Sequence, residues 1–248
     1  MEKTTFDFGF GPVPAHQHAN GGGWVADSAR VADTAFVGSE ALVYGEARVS
    51  GEARVCGNAQ VFGEALVCGN ARVYDNALVC GNAQVYGNAW VCGNAQVSGE
   101  ARVYGNAMVY GNAQVYGNAM VYGNARVCGN AQVCGNAQVC GNAWVYDNAW
   151  VYDNALVCGN VRVCGEAQVY GNARVTITPL VISGLEYVVT VCDNQVQIGC
   201  KTVPATTQLS ADMFPEESCP ILRACAHTLI PLIREHYTRA AQVEVSRD

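Results

Sequence analysis

Cysteine and histidine are the residues of this chain best suited to chemistry, and three placements invite that reading. Cys128, Cys134 and Cys140 stand six apart; thiolates bind zinc, which needs four donors converging on one point. His16 and His18 flank a single glutamine, so an extended segment would carry both imidazoles on one side as half a metal site. Cys225 and His227, near the C-terminus, have the residue types of a thiolate nucleophile and its base. Whether any of these groups can act depends on the elements that carry them.

From Trp24 to Thr176 the chain is one six-residue phrase, with clear copies reading Val-Tyr-Gly-Asn-Ala-Gln and Val-Cys-Gly-Asn-Ala-Arg. Every sixth residue from Val25 to Val175 is valine. Alanine follows four positions later from Ala29 to Ala173, with Val161 as the exception. A period of six is a multiple of the strand period of two and not of the helical 3.6. Valine and alanine share a parity and point inward, while Gly-Asn between them marks a corner. If three such hexads make a coil, the result is a triangular prism of stacked parallel strands.

The phrase resembles the hexapeptide-repeat left-handed β-helix family, which includes bacterial acyltransferases and γ-class carbonic anhydrases. It is also similar to uncharacterised bacterial and phage-associated proteins with long Gly-Asn-Ala hexad runs. That resemblance implies an all-β solenoid, a left-handed parallel β-helix of about eight to nine triangular coils. Residues 1–23 form an N-terminal arm, 24–182 the solenoid, and 183–248 a small α+β C-terminal cap. The cap has a hairpin around Asp193-Asn194 and a helix from about Ser218 to Thr238, which Pro231 kinks or divides. Its apolar positions Ile221, Leu222, Cys225, Leu229, Leu232 and Ile233 are expected to be buried.

The prism disposes of the chemistry that opened the search. Six-residue spacing sends Cys128, Cys134 and Cys140 to three different faces, and a helix points Cys225 and His227 in different directions. Only Cys140 and Cys158 are neighbours in adjacent coils; free thiols are expected there, an in-register disulfide being the alternative. His16 and His18 read as part of the turn into the first coil. The catalytic histidine and metal ligands that the resemblance implies have no counterpart, since no histidine lies between His18 and His227. No catalytic residue, metal or cofactor is assigned.

Outward residues stack on those eighteen positions away. One face carries the alternation Cys56, Tyr74, Cys92, Tyr110, Cys128, Tyr146, Cys164, beside Arg54, Arg72, Trp90, Met108, Arg126, Trp144, Arg162. A second stacks Tyr86, Tyr104 and Tyr122. The third carries Tyr116, Cys134, Tyr152 and Tyr170 beside Gln114, Gln132, Trp150 and Gln168. Arginine with tryptophan and tyrosine is the vocabulary of interaction surfaces, although flat β faces favour aromatic residues for stacking alone. Most acids lie at corners, and Asn58, Asn76, Asn94, Asn112, Asn130 and Asn148 form a corner column suited to an amide ladder.

A formal charge of −7 argues against nucleic-acid partners. The N-terminus lacks the apolar core of a signal peptide, and thirteen cysteines fit a reducing cytosol. The leading expectation is a non-enzymatic structural or binding scaffold whose faces contact a protein partner or another subunit, a trimer being the family's common assembly. One alternative is an atypical acyltransferase with an intersubunit site drawing on His16, His18 or a terminal residue. Another is a phage-associated decoy whose corner acids mimic a polyanion.

Overall fold

The computed structural model describes residues 4–182, 188–193, 195–198 and 201–204, together with 231, 233 and 235. It is a parallel β-solenoid of about eight turns. Each hexad supplies one two-residue strand, such as Arg72–Val73, and each strand pairs in parallel with those eighteen residues before and after it. The strands gather into three sheets of eight, nine and eleven, the last lengthened by two N-terminal strands.

The inside of the prism is dry. From Ala35 to Val157 every inward valine and alanine is at most 1% exposed, so each valine contributes roughly 1.5 kcal/mol or more. Backbone groups are satisfied between coils, as where Arg54 N–H donates to Ala71 O and Cys56 N–H to Val73 O, both at 2.9 Å. No coil can bury its own valines, so stability resides in the stacking.

The corner glycines adopt positive φ, for example +72° at Gly105. Three corners place aspartate there instead: Asp75, Asp147 and Asp153, with φ of 60°, 59° and 57°. Each carboxylate accepts the N–H of the glycine one coil on (Gly93, Gly165 and Gly171) at 3.1, 3.2 and 3.1 Å. A charge-assisted hydrogen bond thus offsets a backbone conformation that costs a non-glycine residue roughly 1–2 kcal/mol.

The asparagine ladder is present, and it is threefold. The expected column runs unbroken from Asn58 to Asn148, each amide N–H donating to the next side-chain oxygen at 3.0–3.2 Å. A second runs from Asn70 to Asn160 and a third from Asn118 to Asn172. Glutamates interrupt or end these columns wherever they take the asparagine slot.

At the N-terminal end, strands Thr5–Asp7 and Pro12–Gln17 form a hairpin, and Pro12–Gln17 runs antiparallel to Trp24–Ala26 at the margin of the third face. The hairpin folds over the outside of the first coils. Phe6 stacks on Trp24 at 4.5 Å and Phe8 lies 5.0 Å from Tyr44.

At the other end, Leu180–Ile182, Val189–Val191, Gln195–Ile198 and Lys201–Pro204 make an antiparallel sheet, with the expected hairpin pairing Val191 to Val196. Its polar side chains satisfy the final coil. Thr190 Oγ1 accepts Gln168 N–H, the Asp193 carboxylate accepts Thr176 N–H, and Gln195 and Gln197 both donate to Tyr170 O. Pro231, Ile233 and Glu235 are helical, with Ile233 buried. The remainder of the expected helix, with Cys225 and His227, lies outside the described residues.

Candidate functional site

The residues with chemical potential go to separate places. His16 Nδ1 lies 3.1 Å from Asp27 Oδ1 on the surface. His18 is buried, with Nε2 3.0 Å from Ala35 O, which also accepts the Asn20 amide at 2.9 Å. The two imidazoles therefore serve the turn into the first coil. Among the described residues no group of three or more histidine, cysteine or acidic side chains could hold a metal ion.

The expectation of free thiols at Cys140 and Cys158 is corrected. They are joined as a disulfide across adjacent coils, with Cα atoms 4.6 Å apart. In-register stacking alone brings two such residues within bridging distance. Cys128 and Cys134 remain free thiols on different faces.

The candidate surface is the set of outward columns, and its geometry comes from contacts between coils. On the first face the arginines lie over the aromatic rings of the neighbouring coil. Arg54 sits 4.7 Å from the Phe36 ring centre, Arg72 4.9 Å from that of Trp90, and Trp144 is held between Arg126 at 4.9 Å and Arg162 at 5.5 Å. Each such contact is worth roughly 0.5–1 kcal/mol at an exposed site. On the second face Tyr86, Tyr104 and Tyr122 stack with centroids 4.9 and 5.0 Å apart and planes within 3°.

The Tyr/Cys alternation has a physical account. Tyr74, Tyr110 and Tyr146 are hydrogen-bonded to the sulfurs of Cys92, Cys128 and Cys164, one coil on. Burial and then this bond push Tyr74 up to about 12, while for Tyr110 the bond leads and burial follows to the same value. An unfolded tyrosine ionises near 10. The native state therefore holds the proton longer, so this contribution to stability is complete below pH 10 and is lost as pH rises towards 12. Phenolate absorbance should show tyrosines still protonated at pH 11 in the native protein, with the unfolding midpoint falling from pH 10 to 12. Tyr110→Phe should remove one late-titrating group.

Of the twelve expected surface residues, Arg54, Arg72, Trp90 and Arg162 are exposed; Arg126, Trp144 and the six tyrosines are half-buried by their neighbours. Asn70, Arg72, Asn88, Trp90, Asn106 and Met108 line a shallow groove of about 420 Å³. More exposed than any of the expected aromatics are Trp150, at 46%, and Phe10, at 63%. Trp150 had a readable signal: its column neighbours are Gln132 and Gln168, so no arginine of its own column covers it.

Residues 65–81, 83–99, 101–114, 113–129, 137–153 and 167–176 match the family model described as YdcK Beta solenoid repeat. No curated protein matches the chain. The longest matched stretches are about one coil each, so the repeat that the family model captures is the coil seen here. The chain is a β-solenoid repeat protein, and its regular coils are similar to the YdcK solenoid repeat.

Proposed function

We propose that this protein is a non-enzymatic scaffold, winding left-handed like the hexapeptide-repeat proteins it resembles, whose first face contacts a second copy of the chain. The observation that supports this reading is the interlocked column of Arg54, Arg72, Trp90, Arg126, Trp144 and Arg162. Rings and guanidiniums already stacked on one another lose little side-chain freedom on docking, which is the main cost of engaging such long side chains. Tryptophan and arginine are also the residues that dominate association energies. A reducing cytosol suits the free thiols along the faces, while the Cys140–Cys158 bridge counts against it.

The test is absolute mass in solution, by size exclusion with light scattering under reducing conditions. We expect a defined assembly, a trimer by analogy with the family, that Arg126→Glu with Trp144→Ala dissociates while the solenoid's circular dichroism is retained. A monomer at every concentration would remove self-contact. Turnover of an acyl donor, abolished by a point mutation at His16 or His18, would replace the scaffold with a transferase.

A further inference from the structure

The ladder that starts at Asn58 stops at Asn148, because the next position in the column is Glu166. Asn148 accepts from Asn130, but its own amide N–H groups have no partner among the described residues, and neither has the Glu166 carboxylate. These two open ends lie beside Trp150, which is 46% exposed and, among the described residues, has no guanidinium over its ring. Gln168 pairs in register with Trp150, and Val188, just before the strand Val189–Val191, adds a wall. Together Asn148, Trp150, Glu166, Gln168 and Val188 line a groove of about 240 Å³.

From this we infer that the groove binds one uncharged pyranose residue, either a free glycoside or one unit of a polysaccharide chain. An indole face takes up the axial C–H face of a sugar ring, and an amide donor beside a carboxylate acceptor matches vicinal hydroxyls. Among the described residues the lining carries a negative charge and no cation, which disfavours anionic sugars. Among the described residues Glu166 is the carboxylate of the lining, and the nearby Asp147 accepts Gly165 N–H. The inference rests on the scaffold reading and supplies a ligand class for another face.

The test is ligand-observed NMR and calorimetry on the full chain. The probes are methyl glycosides of glucose, galactose, mannose and N-acetylglucosamine, and their β-linked tetrasaccharides. We expect saturable binding to at least one probe; a preference for the tetrasaccharide identifies a chain, and equal affinity identifies the free unit. Trp150→Ala should weaken binding about tenfold or more, because it removes the indole face on which the sugar ring stacks. Glu166→Asn should weaken it equally and yet keep or raise the unfolding midpoint, because it extends the ladder past Asn148. No binding across the panel, or binding untouched by both variants, overturns the sugar site. Neither result touches the scaffold reading, which is tested separately by the mass in solution and by acyl-donor turnover.

Discussion

Replacing Gly105 should destabilise the solenoid in the order Val, Ala, Asp, with aspartate the mildest. Its φ of +72° costs any L-residue roughly 1–2 kcal/mol. An added Cβ would also sit 3.1 Å from both Gly123 N and Gly123 O, a contact that only backbone movement relieves. Gly105→Ala therefore loses about 2 kcal/mol, and the β-branched Gly105→Val about 3 kcal/mol. Gly105→Asp meets the same contact, but its carboxylate can accept Gly123 N–H as Asp75 accepts Gly93 N–H. Denaturant midpoints rank the three, and hydrogen exchange of the coils on either side locates the loss. Equal losses for alanine and aspartate would mean that the carboxylate bond does not offset the backbone strain.

That ranking also marks where the sequence stops being readable. The coils follow from parity alone: valine and alanine fall on the same side every six residues, so strands, corners and stacking register are all set by the repeat. Each outward column could likewise be written down by counting eighteen. What the count does not carry is how a side chain bends towards its neighbour. The arginines turn over Phe36, Trp90 and Trp144 and cover part of the surface they were expected to present. Trp150, between two glutamines, stays open.

The three aspartates at corner positions look like drift until their positive φ and carboxylate bonds are seen together. Cys140 and Cys158 could be recognised as neighbours by counting, but their oxidation could not, because the expectation of free thiols came from compartment and not from geometry. The end that closes the final coil uses Thr190, Asp193, Gln195 and Gln197 without periodicity, so the hairpin was legible and its hydrogen bonds were not.

The strongest consequence of this architecture concerns deletions, where size should matter less than register. Removing Ala101 to Asn118 joins Glu100 to Ala119 and takes out one whole coil. Every inward valine keeps its partner, Asn94 meets Asn130, Tyr86 meets Tyr122, and Trp90 gains Arg126 as its column neighbour. In a nearest-neighbour array such a loss removes one coil's contribution and little else. The shortened protein should unfold cooperatively, with a midpoint within a few degrees of the full chain.

Removing Ala107 alone deletes one eighteenth as much chain and should do far more harm. It leaves a five-residue phrase, and a shift of one residue turns every later side chain to the opposite side. Thirteen inward valines lie beyond that point, from Val109 to Val175, with Val161 in an alanine slot among them. At roughly 1.5 kcal/mol each, their exposure exceeds the 5–15 kcal/mol by which a domain is stable. The C-terminal coils should therefore lose hydrogen-exchange protection or pull the deleted corner straight, and the variant should be recovered poorly or with a lowered midpoint. Should the single deletion prove as benign as the whole coil, register would not be what holds this solenoid together.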